Sequence, residues 1–117
     1  MDMKAVFNYK NKRIEIENIK RCKGINQGIG LMFKKRNVNA LLFEFKTPSC
    51  EAIHSLFCNP FLAIWLDENN KIVDTKFIDK LGVYKPKKNF SKLLEVPLNK
   101  NYNSIIQFFL DFESLNK

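Results

Sequence analysis

Apolar and polar residues alternate with a period of two near the start of this chain. Residues 13–19 place Ile14 and Ile16 between Glu15 and Glu17, a pattern that predicts a strand with one face in water. The apolar residues in 4–8 predict a partner strand, and the polar residues 9–12 predict the turn of a β-hairpin.

Five later segments have the length and apolar content of strands, and turn residues separate them. Pro60 is expected at a break, because proline cannot donate to a ladder. Residues 67–70 are expected to form a turn, residues 79–91 a surface loop, and Pro97 the end of the last strand. The predicted strands are residues 40–45, 52–58, 61–67, 71–78 and 92–98.

Two segments depart from this pattern. Three of the four glycines lie within residues 24–30, and we expect a short helical turn there that ends at Gly30. Near the C-terminal end an apolar stripe at helical spacing predicts a helix, with Ser104 as its cap. The run 105–110 also fits a strand, so both alternatives stay open. The stripe comprises Ile105, Phe108, Phe109 and Phe112.

These elements predict a mainly β fold, with residues 1–117 as a single domain. We expect a jelly-roll-like sandwich or partly closed barrel with one or two short helices, and with its aromatic residues in the core. The chain has 117 residues, 45% of them hydrophobic and 27% charged, a composition typical of a globular domain. It has no apolar run long enough to cross a membrane and begins without a secretory pattern, so a cytoplasmic location is expected.

The net charge of +8 is concentrated in the first part of the chain. Residues 1–46 contain eleven Lys or Arg and four acids, a net +7, and residues 47–117 contain nine and eight, a net +1. Such a surface attracts phosphates, although it also serves solubility alone. Nucleic acid or another anion is therefore a possible partner, with salt-sensitive binding at Lys20, Arg21, Lys23, Lys34, Lys35 and Arg36.

The residues that could support catalysis or metal binding are few. Three cysteines without a Cys-x-x-Cys pair, together with one histidine, do not supply a zinc site. A Cys58–His54 nucleophile pair is conceivable, but Cys58 lies in an apolar run and is better explained as a buried residue. No catalytic motif is present, and neither a metal nor another cofactor is expected.

The order of several short motifs resembles the family called domain of unknown function 192. The motifs run from Gly30-Leu31-Met32-Phe33-Lys34 through Ile53-His54-Ser55-Leu56-Phe57 and Trp65-Leu66-Asp67 to Leu94-Glu95-Val96-Pro97. The resemblance implies a small mainly β, jelly-roll-like fold, but it implies no activity. Leu62 and Lys87 stand where the family commonly has Asp and an aromatic residue.

We therefore expect a non-enzymatic binding module for a small ligand or a protein partner. The family-like motifs cluster around one predicted pocket, in which the single histidine contacts the ligand and a lysine lies at the rim. The predicted ligand-binding residues are Gly30, Met32, His54, Trp65 and Lys85. Nucleic-acid or anion binding by the basic residues named above is the alternative.

Overall fold

The described chain folds into eight strands and one helix. A computed structural model describes residues 2–22, 39–49, 53–54, 60–78 and 83–115. The strands are β1 (Asp2–Tyr9), β2 (Lys12–Cys22), β3 (Ala40–Ser49), β4 (Ile53–His54), β5 (Phe61–Leu66), β6 (Ile72–Ile78), β7 (Val83–Tyr84) and β8 (Phe90–Pro97). A 3-10 turn at Lys100–Tyr102 leads into helix α1 (Asn103–Leu115).

Six strands form one curled sheet in the order β1-β2-β3-β8-β5-β6. All neighbours are antiparallel except β2 and β3, which are parallel. Cα atoms of the two edge strands, β1 and β6, approach within 8 Å, so the sheet is a partly closed barrel. Strands β4 and β7 pair as a separate antiparallel ribbon. The predicted mainly β fold is confirmed; the jelly-roll topology stays a prediction.

The predicted N-terminal hairpin is confirmed, and its strands are longer than the pattern indicated. Strands β1 and β2 pair from Tyr9↔Lys12 to Asp2↔Lys20. Lys10 and Asn11 form the turn with φ of 52° and 66°. Positive φ at both central residues gives a turn whose twist matches that of a hairpin.

A bulge interrupts the hairpin, and a side chain that follows β8 forms a hydrogen bond to its backbone. The register shifts between Met3 and Ala5, and Asn18 has a φ of 57°. The hydroxyl of Tyr102 lies 3.0 Å from the carbonyl oxygen of Asn18, to which it donates, and it accepts the Ala40 backbone N–H at 2.8 Å. The bulge, the start of β3 and the 3-10 turn therefore meet at one side chain.

The concave face of the sheet encloses an apolar cluster, the barrel core. Alternate residues of each long strand contribute to it, and α1 packs over it through Phe108 and Phe109. Because β1 and β6 both contribute, the sheet wraps around this core. Its buried members are Phe7, Ile14, Ile16, Ile19, Ala40, Leu42, Leu62, Ile64, Leu66, Leu94, Val96, Tyr102 and Phe109.

The convex face carries a second cluster, the outer core, over part of the sheet only. It draws on β3, β8, β5 and β6, and Tyr84 of the ribbon packs against it. All six residues of β5 are consequently buried, as expected for a strand covered on both faces. The buried members are Leu41, Phe43, Phe61, Ala63, Trp65, Ile78, Phe90 and Leu93.

The C-terminal apolar stripe forms a helix, so the strand alternative for residues 105–110 is wrong. Ile105, Phe108 and Phe109 pack against the barrel core, as their spacing predicts. The predicted Ser104 cap is also wrong, because the helix already begins at Asn103 and the 3-10 turn precedes it. The Asn99 side chain caps that turn instead, accepting the Asn101 N–H at 3.0 Å.

One predicted loop segment needs correction, and another is not described. The predicted helical turn that ends at Gly30 lies outside the described residues. Within the predicted surface loop 79–91, Val83–Tyr84 form β7 and Phe90 begins β8. Of the predicted strand 52–58, the described part is the two-residue strand β4. The predicted strands 40–45, 61–67, 71–78 and 92–98 are confirmed with small changes of boundary.

Candidate functional site

The structure describes three of the five predicted ligand-binding residues. They are His54, Trp65 and Lys85, and the β4–β7 ribbon links them. His54 pairs with Val83 in the ribbon, and exposed Lys85 follows the ribbon directly. Tyr84 connects this ribbon to Trp65, since the two ring centroids are 5.5 Å apart. Trp65 is 0% exposed, so it belongs to the outer core. Gly30 and Met32 lie outside the described residues.

A half-buried carboxylate holds the ribbon to the sheet. Asp74, the cross-strand partner of Trp65, accepts the Tyr84 hydroxyl at 3.0 Å and the Lys87 backbone N–H at 3.0 Å. Burial, followed by the hydrogen bond and the negative charge of Asp74, raises the pKa of Tyr84. Asp74 is therefore a structural anchor, and Tyr84 stays protonated at neutral pH.

Asp74 and Tyr84 are hydrogen-bonded, whereas the indole nitrogen of Trp65 differs from them. Its Nε1 atom is buried, and it contacts no hydrogen-bond acceptor in the part of the chain that the structure describes. A buried donor without a partner costs free energy.

The predicted nucleic-acid residues are described only in part. Lys20 and Arg21 are exposed on β2, and Lys23, Lys34, Lys35 and Arg36 lie outside the described residues. Arg21 is paired with Glu44 of β3, with 2.7 Å between Nε and Oε1.

Other cations of the hairpin are also paired with acids. The Nη2 atom of Arg13 lies 2.9 Å from Oε1 of Glu15, and the Lys4 ammonium lies 4.0 Å from the same oxygen. These exposed pairs reduce the positive field on this face of the hairpin.

A cavity lined by described residues lies elsewhere, at the junction of β1 and β6. We call it the seam cleft; it has a volume of about 840 Å³. Residues 6–11 of the first hairpin line one side, and residues 69–72 of the β5–β6 turn line the other.

The β5–β6 turn is held by its own hydrogen bonds. Oδ1 of Asp67 accepts the backbone N–H groups of Asn69 at 2.8 Å and Lys71 at 3.0 Å. Asn70 has a φ of 62°, a conformation that asparagine tolerates well. Its side-chain oxygen accepts a hydrogen bond from the Lys92 ammonium. One rim of the cleft is thereby fixed.

The polar side chains of the cleft have a clear bias. Two lysines and four asparagines line it, and none of its described lining residues is a carboxylate. Lys10 and Lys71 stand on opposite rims. The asparagines are Asn8, Asn11, Asn69 and Asn70.

The walls of the cleft also carry apolar and aromatic surface. Val6, Phe7 and Ile72 line it together with Tyr9. The Tyr9 ring packs on Phe109 of α1 at a centroid distance of 5.5 Å, and the Lys10 ammonium lies 5.9 Å from the Tyr9 centroid. The Lys10 cation therefore lies over the face of the Tyr9 ring.

Neither a metal-binding cluster nor a membrane-crossing helix is found in the described ranges. No group of three or more His, Cys, Asp or Glu side chains comes together there. No helix among those residues is long and apolar enough to span a membrane.

Two solved structures share this fold at low sequence identity. A protein of unknown function from Novosphingobium aromaticivorans matches with a TM-score of 0.66 and 13% identity, over 82% of this chain and 73% of its own. A proposed transcription regulator from Sinorhizobium meliloti matches with a TM-score of 0.69 and 9% identity, over 89% of this chain and 84% of its own. At these identities the likeness shows the fold alone.

No model of a protein family matches this chain, and no curated protein matches it either. The resemblance to domain of unknown function 192 therefore stays a prediction.

Proposed function

We propose that this chain is a non-enzymatic binding module and that the seam cleft binds a small anionic ligand. The observation that supports this most directly is the composition of the cleft, in which Lys10 and Lys71 face a space with no carboxylate among its described lining residues. Lysine ammonium groups attract anions most strongly in a concave site, where low-dielectric walls focus the field.

The size and rigidity of the cleft favour a small molecule. A volume of about 840 Å³ lies within the usual range for small-molecule sites. Hydrogen bonds within the β5–β6 turn hold one rim, and the Lys10–Asn11 hairpin turn forms the other. A preformed site loses little conformational entropy on binding, which favours affinity.

The pocket that the sequence analysis placed around His54 remains a second possible location for the ligand. The His54 backbone and Lys85 lie in and next to the ribbon, and the ring of Trp65 packs against Tyr84 of the ribbon. A substitution in the seam cleft distinguishes the two locations, because it leaves the ribbon unchanged.

The test is a thermal-shift titration with phosphate, pyrophosphate and citrate, with Asn11→Asp as the variant. Aspartate has nearly the shape of asparagine and tolerates positive φ, so this change adds one negative charge to the cleft with little effect on the turn. Asn101→Asp is the matched control at an exposed position outside the cleft. We expect at least one anion to raise the Tm of the unmodified chain and of the control, and to raise that of Asn11→Asp much less.

If no anion raises the Tm, or if both variants respond equally, the seam cleft is not an anion site. If His54→Ala abolishes the response and Asn11→Asp does not, the ligand binds at the ribbon instead.

We propose nucleic-acid binding as the second candidate function, supported by the net charge of residues 1–46 and by exposed Lys20. One structure of the same fold is a proposed transcription regulator, which agrees with this alternative. Affinity for single- and double-stranded DNA should then fall steeply with salt. A triple charge reversal at Lys34, Lys35 and Arg36 should weaken binding; affinity that survives it would count against this candidate.

A further inference from the structure

We infer that the ligand of the seam cleft joins a planar, hydrogen-bonding ring to its anionic group, the chemistry of a nucleoside phosphate. This inference rests on the proposed anion site and adds a statement about the uncharged part of the ligand. It follows from three features of the cleft: its mixed lining, its amide groups and its volume.

The lining provides separate surfaces for a charged and an uncharged part. Lys10 and Lys71 belong to the two turns at the rims, whereas Val6, Phe7 and Ile72 supply apolar wall. A bare inorganic anion would contact the lysines and leave this apolar wall without a partner. A ligand that also buries a ring gains the free energy of removing both apolar surfaces from water.

Tyr9 is the side chain that favours a planar group. It lines the cleft, and its packing against Phe109 and Phe108, at centroid distances of 5.5 and 6.4 Å, fixes the ring in place. The Lys10 ammonium lies 5.9 Å from the same ring. A ligand whose ring contacts Tyr9 therefore has its attached phosphate within reach of a cation.

The four asparagines argue against an alkyl chain as the uncharged part. An asparagine amide carries two donors and an acceptor, of which the Asn70 acceptor is already bound by Lys92, and an amide that loses water to a ligand without gaining a partner weakens binding. A nucleobase edge also carries donors and acceptors side by side, which is why asparagine pairs with adenine in a bidentate manner. An amide-rich cleft therefore fits a heteroaromatic ring better than a fatty acid.

Volume gives the third argument. A cleft of about 840 Å³ is of the size that accommodates drug-sized ligands. Phosphate or pyrophosphate would occupy a small part of it. A nucleoside phosphate fills more of this volume with one molecule.

The experiment is a calorimetric titration of the full chain with four kinds of probe: pyrophosphate, nucleoside 5′-monophosphates and diphosphates, the corresponding nucleosides, and dodecanoate. We expect at least one nucleotide to bind about tenfold or more tightly than pyrophosphate and than its own nucleoside, since it alone uses both surfaces. Dodecanoate should bind more weakly than that nucleotide.

Two substitutions separate the contributions. Asn11→Asp should weaken the nucleotide and pyrophosphate alike, by roughly tenfold, through charge repulsion. Asn8→Leu keeps the approximate side-chain size and removes an amide at an exposed strand position, so it should weaken the nucleotide more than pyrophosphate. Asn101→Asp should change neither.

The possible failures are distinguishable. If pyrophosphate binds as tightly as every nucleotide, the anion site stands and the inference about the ring is wrong. Tighter binding of dodecanoate than of any nucleotide overturns the same inference. If no probe binds, or if Asn11→Asp and Asn101→Asp behave identically, the proposed anion site fails and this inference fails with it.

Discussion

The Tyr102 hydroxyl is the side-chain group whose removal should reveal most about how this fold is held together. The change Tyr102→Phe deletes one oxygen atom and keeps the ring, which is 5% exposed in the barrel core. The hydroxyl accepts the N–H of Ala40 at 2.8 Å and donates to the carbonyl of Asn18 at 3.0 Å, with the Glu17 carbonyl as a second acceptor at 3.2 Å. All three backbone partners are far from Tyr102 in sequence.

The expected cost can be worked out from the bonds to Ala40 and Asn18. Ala40 is 0% exposed, so its N–H would stay buried without a partner, at about 1–3 kcal/mol. The Asn18 carbonyl lies at the more accessible bulge, where loss of an ordinary hydrogen bond costs about 1 kcal/mol. Together they predict a loss of about 3 kcal/mol, which for a chain of this length lowers the Tm by roughly 10 °C.

The assay is equilibrium unfolding in urea, followed by the fluorescence of Trp65, the single tryptophan of the chain. Tyr84→Phe is the matched control, because it removes a hydroxyl that makes one half-buried hydrogen bond, to Asp74. We expect the control to lose about 1 kcal/mol. A Tyr102→Phe variant no less stable than the control would refute the view that this hydroxyl satisfies the bulge and the start of β3.

Three further predictions concern the ribbon, the core and the 3-10 turn. The pKa of Tyr84 is raised in the folded state, so the contribution of its hydroxyl to stability is fully present below the ordinary value of about 10 and is lost as pH rises through the raised pKa. In urea melts above pH 10, Tyr84→Phe should therefore cost less stability than it does at neutral pH. Leu94→Ala, at a 0% exposed position of the barrel core, should cost about 2–5 kcal/mol, and a loss under 1 kcal/mol in urea would contradict that packing. Asn99→Ala removes the acceptor of the Asn101 N–H and should cost about 1 kcal/mol, whereas Asn99→Asp, which keeps the acceptor, should cost less in the same measurement.

The alternation in β2 predicted the strand but not its bulge. Ile14 and Ile16 follow a period of two, and the next core residue is Ile19 instead of residue 18. That step of three was the one indication in the sequence that an extra residue interrupts the ladder. Which side chain fills the bulge could not be predicted, since Tyr102 is separated from Asn18 by 84 positions.

Trp65 shows how a site prediction depends on more than residue type. Aromatic residues at alternate strand positions suit both a pocket and a core, and the sequence analysis expected aromatic residues in the core. The structure places Trp65 in the outer core because the Tyr84 ribbon and Phe90 cover it. That cover requires β7, a two-residue strand within a segment whose polar composition predicted a loop.

The seam cleft was missed entirely by sequence reasoning. Its two rims are turns separated by about sixty positions, and they become neighbours only because the sheet curls until β1 approaches β6. The prediction of basic patches likewise counted cations, because the sequence does not show which acids they pair with. Arg21 of β2 forms an ion pair with Glu44 of β3, a pairing that the linear sequence does not show.

The position of β8 in the sheet has a consequence for the way the chain reaches its native state. This strand pairs with β3 on one side and with β5 on the other, so it bridges a unit formed by β1, β2 and β3 and a unit formed by β5 and β6. Both units are synthesised before β8. Their apolar surface stays exposed until β8 pairs with them. Long-range strand pairing of this kind is slow, and the intermediates that precede it are prone to aggregation. A chain truncated before residue 90 would therefore expose the apolar surface of both units and be prone to aggregation.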